Sequence, residues 1–336
     1  MTIHKTLGWG LFGASNIART RIIAAINAQP DSRVVAVMSR DLSRAETFAR
    51  EFNIPAAYDS LDAILADPQL DAVYISTTND LHHAQTLAAA RAGKHVLCEK
   101  PLALTLDQAG EMVAVCQHAG VVLGTNHHLR NSAIHRQARQ LILDGAIGKP
   151  LAARLLRAMY LPPNLHGWRI NQSDGGGAIL DMTVHDADIA RFVLNSEVES
   201  VVAIKSQQGL AVGGLEDTVM GVMQFRNGVL CQFHDSYVVK HADMHCEIHG
   251  TEGSLYAEKA MTQMPVGKLF LRRGDQREEI DCGASEELYT RAVRLFNAAV
   301  RGEGEPAADG EDGVRSLQIA LAVRESAMTG KRITLE

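Results

Sequence analysis

The segment Leu7-Gly8-Trp9-Gly10-Leu11-Phe12-Gly13-Ala14-Ser15-Asn16-Ile17-Ala18 decides the fold of the first part of this chain. It begins with a short apolar strand at Trp9–Phe12 and turns at Gly13. The apolar residues that follow recur at the spacing of an amphipathic helix, namely Ala18, Ile22, Ala25 and Ile26. A strand that passes through one tight turn into a helix predicts the first unit of a parallel α/β sheet.

The same alternation continues to about residue 125. A helical segment at Leu42–Phe52 is typical of the connections, and the further apolar strands are Val34–Met38, Ala72–Ser76, Val96–Cys98 and Val121–Gly124. Continuous apolar strands separated by helices indicate a parallel sheet covered on both faces. We therefore expect a doubly wound (Rossmann) sheet in residues 1–126.

The second half has a different pattern. Longer strand-like segments follow one another, at Ala152–Tyr160, Val198–Ser206, Thr218–Arg226 and Val229–Tyr237, and Asn227-Gly228 is a strong hairpin signal. One helix is inserted at about 181–194, and helical segments follow near 285–301 and 311–329. We expect an α+β domain in residues 127–336 with a mainly antiparallel open sheet. Whether the C-terminal helices of this domain pack on it or on the first domain is left open.

Composition excludes several classes of protein. The net charge of −6 and the pI of about 6.2 argue against nucleic acid as a partner. No apolar run approaches the ~20 residues of a membrane helix, so we expect a cytoplasmic protein without a membrane partner. Oligomeric state is left open between monomer and homodimer.

Cysteine and histidine spacing gives no reason to expect a metal. The five cysteines are far apart and form no C-x-x-C pair, so we expect buried free thiols. His241, His245 and His249 are spaced by four, but the alternating run 244–249 predicts a strand. Positions four apart on a strand are separated by roughly 13 Å, too far to share one ion.

The turn after the first strand is the candidate phosphate cradle. A G-x-G-x-x-G pattern at Gly8–Gly13 lies before or within the strand, so it is not the fingerprint, which must follow a strand and open a helix. The working turn is 13–18, where Gly13 makes the turn and the Ser15 hydroxyl can donate to a phosphate. The helix N-terminus adds free N–H donors, so we expect the dinucleotide to contact Gly13, Ala14, Ser15, Asn16 and Ile17.

The end of the second strand selects the cofactor. NAD-binding sheets usually carry a carboxylate there for the ribose 2′-hydroxyl. This chain has Ser39-Arg40-Asp41, with Arg44 one turn into the next helix. A serine with two nearby arginines suits a 2′-phosphate and favours NADP(H). In the alternative, both arginines are solvated and Asp41 binds the ribose of NAD.

The segment after the strand at 72–76 lies at the carboxyl edge of the sheet, where ligands bind. The small hydroxyl residues Ser76, Thr77 and Thr78 would let a dinucleotide lie close. His82 and His83 begin a helix, and we expect them to pack or cap rather than to catalyse.

Three residues are candidates for chemistry. Lys100 follows a buried strand, and its ammonium can polarise a carbonyl oxygen, although an ion pair with Glu99 is the alternative. His185 can donate a proton to that oxygen as hydride arrives. Asp181, four residues earlier on the same helix, would hold and charge the imidazole, unless the two are a buried structural pair.

Several neighbours of these residues are secondary candidates. Trp168-Arg169 lies in an expected loop at 166–173. In one interpretation these residues close over a nicotinamide or a sugar, and in the other they only fill the interior of the loop. Asp186 and Asp188 are expected on the helix surface or against substrate. The run 126–130 ends a strand at the domain junction, where cleft residues are expected.

These motifs together resemble the glucose–fructose oxidoreductase and inositol dehydrogenase (Gfo/Idh/MocA) family over essentially the whole chain. The likeness rests on the turn 13–18, on Glu99-Lys100-Pro101 and on Asp181-x-x-x-His185. Longer stretches, at 76–79, 95–103, 124–131, 167–169 and 249–255, are similar to the members that reduce 1,5-anhydro-D-fructose. This chain differs from them in having Arg40 beside Ser39 and one residue fewer between Arg169 and Gly175.

The resemblance implies roles residue by residue. Lys100, His185 and Asp181 would be the catalytic group. The cofactor residues would include Ser39, Arg44, Thr77, Thr78, Asn79, Leu81, His82, Glu99, Lys100, Asn126, Trp168, Arg169 and Tyr289. Arg40, which this chain has in addition, is expected to strengthen the contact with the 2′-phosphate. The implied reaction is NADPH-dependent reduction of the ketone of 1,5-anhydro-D-fructose to 1,5-anhydro-D-mannitol. Two alternatives remain: another sugar or inositol dehydrogenase of the family, and a non-catalytic dinucleotide-sensing protein.

Overall fold

The computed structural model describes residues 6–172 and 175–335. The predicted domains, 1–126 and 127–336, therefore include residues 1–5, 173–174 and 336, which lie outside the described residues, as does Ser173 of the expected loop. The described chain forms two compact units, one of residues up to His127 with Tyr289–Val314 and the other of His128–Leu288 with Arg315 onwards.

The strands, in chain order, are β1 (Leu7–Phe12), β2 (Ser32–Met38), β3 (Ala56–Tyr58), β4 (Ala72–Ile75), β5 (His95–Cys98), β6 (Leu123–Thr125), β7 (Pro150–Ala158), β8 (Val198–Ser206), β9 (Thr218–Phe225), β10 (Leu230–Ser236), β11 (His245–Gly250), β12 (Ser254–Glu258), β13 (Lys268–Arg273), β14 (Gln276–Ile280) and β15 (Ile333–Thr334). The α-helices are α1 (Ile23–Asn27), α2 (Leu42–Phe52), α3 (Leu61–Leu65), α4 (His82–Arg91), α5 (Leu106–Ala119), α6 (Ala133–Leu143), α7 (Gly167–Asn171), α8 (Val184–Leu194), α9 (Leu288–Val300) and α10 (Gly310–Thr329). Two π-helical turns, Ala18–Ile22 and Ile179–Thr183, lead into α1 and α8, and short 3-10 turns lie at Asn79–Leu81, His128–Asn131 and Pro163–Leu165.

The first unit is the predicted doubly wound sheet. Its six strands are all parallel and have the order β3-β2-β1-β4-β5-β6. Every residue of β1 is buried, as expected for a strand covered on both faces. The three-residue strand β3 was not singled out by the sequence.

Two glycines inside β1 have a packing role. A Cβ on Gly8 would lie 1.8 Å from the carbonyl oxygen of Gln69, and one on Gly10 would lie 2.5 Å from Leu70 Cδ1. The chain at 69–70 therefore packs directly on the backbone of the strand. This confirms that the G-x-G part of the rejected pattern lies within the strand.

Helix α9 completes the first unit from far along the chain. The Phe296 ring packs on Trp9 with their centroids 5.2 Å apart. Asn297 Nδ2 donates to Ser32 Oγ at 2.7 Å, and Arg301 forms an ion pair of 2.6 Å with Asp31. The first sheet thus depends on residues that follow the second sheet in sequence.

The second unit is built on a nine-stranded sheet of order β14-β13-β12-β11-β7-β10-β9-β8-β15. All its neighbouring strands are antiparallel except β7 and β10, which pair in parallel. The predicted hairpin at Asn227-Gly228 joins β9 to β10. Helix α8 packs on β7 and on α6, and nearly all its residues are buried. The α/β class, with a Rossmann sheet and a mainly antiparallel second sheet, is confirmed.

Candidate active site

The turn after β1 has the shape of a phosphate cradle. Gly13 has φ +104°, and a Cβ there would lie 3.2 Å from the carbonyl oxygen of Ser76, so the position requires glycine. Ser15 Oγ lies 2.8 Å from Ser76 Oγ and accepts from the N–H of Ala18 at 3.1 Å. The turn therefore brings Gly13, Ser15 and the start of the helix against the end of β4.

Beside this turn lies the end of β2, where Asp41 is the N-cap of α2. Asp41 Oδ1 accepts from the N–H groups of Ser43 and Arg44 at 2.9 and 3.3 Å and from the Ser43 hydroxyl at 2.6 Å. The hydroxyl of Ser43 and these N–H groups lower the pKa of Asp41. Arg44 Nη2 donates to the carbonyl oxygen of Ala14 at 2.8 Å, which joins α2 to the phosphate turn.

A cleft of about 370 Å³ opens between the turn and α2. Its lining is rich in hydroxyl and guanidinium groups and consists of Ala14, Asn16, Arg19, Ser43, Arg44, Thr47 and Phe48. The Arg19 guanidinium lies 5.1 Å from the centre of the Phe48 ring. Four of these lining residues were not predicted from the sequence, namely Arg19, Ser43, Thr47 and Phe48. The spacing of Arg44, Thr47 and Phe48, three and four residues apart on a predicted helix, was the available signal.

At the end of β4, side chains hold the backbone. Thr77 Oγ1 donates to Gln85 Oε1 at 2.7 Å. His82 is fully buried, with Nδ1 at 2.9 Å from the carbonyl oxygen of Pro101 and Nε2 at 3.3 Å from that of Thr77. Burial lowers the pKa of His82. The structure thus gives this histidine a packing role at the segments that follow β4 and β5.

A hydrogen-bonded group lies at the end of β5, beside Lys100. Glu99 Oε1 accepts from the hydroxyl of Tyr74 and, at 2.6 Å, from Asn126 Nδ2. Burial raises the pKa of Glu99, against the effect of these donors and of the Lys100 charge. Tyr289 is buried close to Tyr74 and helps to raise the pKa of Tyr74, after burial and Glu99. Four of the predicted cofactor residues are therefore neighbours in the first unit.

In the second unit, Asp181 accepts two hydrogen bonds. Arg169 Nε donates to Asp181 Oδ2 at 3.0 Å, and the hydroxyl of Tyr237 donates to the same oxygen at 2.8 Å. The Arg169 guanidinium lies 4.5 Å from the centre of the Trp168 ring. Burial and the Asp181 charge raise the pKa of Tyr237. Trp168 and Arg169 lie on the short helix α7, where the sequence predicted a loop, and Tyr237 was missed.

His185 is buried on α8, with 2% of its surface exposed. The ring of His128, from the 3-10 turn at 128–131, packs edge-on against it, with the centroids 4.8 Å apart and an interplanar angle of 73°. The sequence placed His128 among expected cleft residues without linking it to His185.

The prediction that Asp186 and Asp188 lie on the helix surface is wrong. Both are buried, because α8 packs against the sheet on one side and α6 on another. Asp188 accepts from Arg130 Nε at 3.0 and 2.9 Å and from Nη2 at 2.6 Å. Asp186 faces Asp235 of β10, and burial and the Asp235 charge raise its pKa well above the ordinary value.

Other predictions concern metals, thiols and membranes. Across 6–172 and 175–335, no three histidine, cysteine or acidic side chains are grouped as metal ligands would be. His245 and His249 lie on strand β11, as predicted. All five cysteines are free, but Cys282 is partly exposed rather than buried because it follows the edge strand β14. None of the helices in the described part of the chain has the length and apolar composition needed to cross a bilayer.

Comparison with known proteins gives two family matches. Residues 7–127 match an oxidoreductase family with an NAD-binding Rossmann fold, and residues 135–256 match the GFO/IDH/MocA C-terminal domain. A 1,5-anhydro-D-fructose reductase of Ensifer adhaerens is 51% identical over 98% of both chains, and a myo-inositol 2-dehydrogenase of Thermotoga maritima is 28% identical over 96% of this chain and 98% of its own. The crystal structure of aldose-aldose oxidoreductase from Caulobacter crescentus, complexed with glycerol, has a TM-score of 0.90 at 25% identity and covers 98% of this chain and 100% of that one. The chain therefore belongs to the GFO/IDH/MocA family of oxidoreductases.

Proposed function

We propose that this protein catalyses the NADPH-dependent reduction of the ketone of 1,5-anhydro-D-fructose to 1,5-anhydro-D-mannitol. The observation that carries the proposal is the 51% identity, over 98% of both chains, to a 1,5-anhydro-D-fructose reductase. Identity of that size, without large gaps, supports a shared substrate more strongly than the 28% identity to an inositol dehydrogenase.

The choice of NADPH over NADH is supported at the end of β2. The carboxylate that would bind the ribose hydroxyls of NAD is Asp41, and its Oδ1 already accepts three hydrogen bonds as the cap of α2. Arg44 is anchored on the phosphate turn by the carbonyl oxygen of Ala14 and lines the cleft there. A guanidinium in that position suits a 2′-phosphate, to which it can donate two parallel hydrogen bonds.

The turn that would hold the cofactor fits a dinucleotide. A Cβ on Gly13 would fill the space beside Ser76, and the adjoining cleft presents guanidinium and hydroxyl donors. In the proposal, residues 13–17 hold the pyrophosphate, and Ser39, Arg40 and Arg44 hold the 2′-phosphate. When bound, NADPH supplies the hydride.

The protein's own residues supply the proton and the charge. Lys100 polarises the carbonyl oxygen of the sugar, so that negative charge developing there is stabilised. His185 donates the proton to that oxygen. Asp181, held by Arg169 and Tyr237, places a fixed negative charge beside the substrate and favours the charged imidazole.

The test measures oxidation of NADPH and NADH by the purified protein with 1,5-anhydro-D-fructose and with common ketoses, and, in the reverse direction, reduction of NADP+ and NAD+ with inositols. We expect turnover with NADPH and 1,5-anhydro-D-fructose, and a loss of about 100-fold or more in kcat for Lys100→Met and for His185→Asn. Matched controls are Lys268→Met and His249→Asn, at outward-facing positions of β13 and β11, which should leave kcat unchanged. A preference for an inositol with NAD would refute the proposal.

A further inference from the structure

One buried carboxylate contacts the chain just before His185. Asp235, on β10, is fully buried, and its Oδ2 accepts from the hydroxyl of Thr183 at 2.6 Å. Thr183 ends the π-helical turn and lies two residues before His185. This bond joins the start of α8 to the central part of the sheet.

A second buried carboxyl group lies immediately after His185. Asp186 is fully buried, and among the described residues neither of its oxygens meets a nitrogen or hydroxyl donor. Asp235 lies within hydrogen-bonding reach of Asp186, and the part of the chain that the structure describes offers no such donor to Asp235 Oδ1 either. Two carboxylates in contact in a dry interior repel each other strongly, and a shared proton removes both the repulsion and the unpaired oxygens.

The charges around the pair agree with one shared proton. Arg157 of β7 is the cation that faces both carboxyl groups, and its Nη1 donates to the carbonyl oxygen of Met182 at 3.4 Å. The neutral thiols of Cys231 and Cys246, on β10 and β11, also face Asp186. Asp181 adds its own negative charge near Asp235.

We propose that Asp235 positions His185 by binding the residues on both sides of it. One oxygen of Asp235 accepts a hydrogen bond from the hydroxyl of Thr183. The other accepts a hydrogen bond from the carboxyl group of Asp186, which stays protonated and neutral. One carboxylate thereby fixes positions i−2 and i+1 around the imidazole, and the His128 ring packs against its edge. The expected effect on turnover rests on the proposed function, in which His185 donates a proton to the substrate. The proton shared by Asp186 and Asp235 is inferred independently of that function.

Burial and the facing charges are consistent with this state. Burial, followed by the Asp235 charge, raises the pKa of Asp186 well above its ordinary value, and burial raises that of Asp235 to about 6. The folded protein therefore binds a proton here that the unfolded chain has lost above pH 4 or so. Unfolding free energy should fall as the pH rises from there through the raised pKa, and Asp186→Asn should remove this dependence.

The experiment compares three variants with the wild-type protein. Asp186→Asn keeps a neutral donor towards Asp235, Asp186→Leu removes it, and Thr183→Val removes the other donor without a change of shape. Val193→Ala, two turns further along α8, is the control for a general loss of packing. Infrared difference spectra report the carbonyl band of a protonated carboxyl group, NMR reports the His185 imidazole, and kinetics separate kcat from KM.

The wild-type protein should show a protonated-carboxyl band at neutral pH that Asp186→Asn abolishes. Asp186→Asn should keep the His185 resonances and most of kcat. Thr183→Val and Asp186→Leu should shift those resonances and lower kcat by about 10- to 100-fold with little change in KM, as expected for a misplaced catalytic group.

Absence of the carboxyl band, or unchanged His185 resonances in Thr183→Val, would overturn the inference. If Asp186→Leu does not fold, Thr183→Val decides the point. A protein that shows the band and the NMR shifts but does not reduce 1,5-anhydro-D-fructose would refute the proposed function alone.

Discussion

Replacement of Arg44 by alanine should change the cofactor preference of the protein. Arg44 is exposed on α2, where its Nη2 donates to the carbonyl oxygen of Ala14 and its side chain lines the cleft beside the phosphate turn. If the remaining N–H groups donate to a 2′-phosphate, the variant loses a charged hydrogen bond worth about 1.5–3 kcal/mol. At about 1.4 kcal/mol per factor of ten, the Kd of NADPH should rise roughly 10- to 150-fold.

The prediction for NADH is different because NADH lacks the phosphate. Its Kd should change by less than about threefold, and stability should fall by only about 1 kcal/mol, because the lost bond to Ala14 is partly exposed. Titration of each dinucleotide, followed by nicotinamide fluorescence, measures both constants. Arg50→Ala removes the same charge from the same helix, away from the cleft, and should alter neither constant. Equal losses for NADPH and NADH in Arg44→Ala would refute the assignment of the 2′-phosphate to this residue.

Three further predictions concern stability. Gly8→Ala would place a Cβ 1.8 Å from the Gln69 carbonyl oxygen, and urea unfolding should show a loss of about 3 kcal/mol. Arg130→Met removes the guanidinium that is hydrogen-bonded to the buried Asp188 carboxylate and leaves Arg191 at 3.9 Å as its cation, which should cost about 3 kcal/mol. A double variant with Asp188→Leu should recover most of that loss, and equal stability of the single and double variants would contradict the prediction. Burial lowers the pKa of His135 from 6.5 to about 4, so as the pH falls the unfolded chain binds this proton before the folded protein does. The free energy of unfolding should therefore fall by up to about 3 kcal/mol between pH 6.5 and pH 4, and His135→Phe should show no such decline.

Local patterns were sufficient for the elements that are long or wholly apolar. The first sheet could be predicted from its apolar strands, and the hairpin between β9 and β10 from Asn227-Gly228. Each of these signals is contained within a few consecutive residues. Strands β12 to β14 were not singled out, since they are short and carry charged residues on an exposed face. The parallel pairing of β7 with β10 depends on strands far apart in sequence, and no local pattern carries that information.

The candidate site divides in the same way. The turn at Gly13 and the helical segment around Asp181 and His185 could be predicted, because both patterns lie within a few neighbouring residues. The division of that segment into a π-helical turn, which carries Asp181, and α8, which carries His185, was not predicted. The burial of Asp186 and Asp188 could not, since their partners, Asp235 and Arg130, are more than 45 residues away. Charged residues predict an exposed helix face unless a distant partner is known.

The contribution of α9 to the first unit has a consequence for biosynthesis. Strands β1 to β6 leave the ribosome long before Phe296 and Asn297, which cover Trp9 and bind Ser32. During translation, the apolar surface of the first sheet around Trp9 therefore stays uncovered by α9 until most of the second sheet has been synthesised. A premature stop codon before α9 would therefore damage both units at once, because the second would also lack β15 at the edge of its sheet.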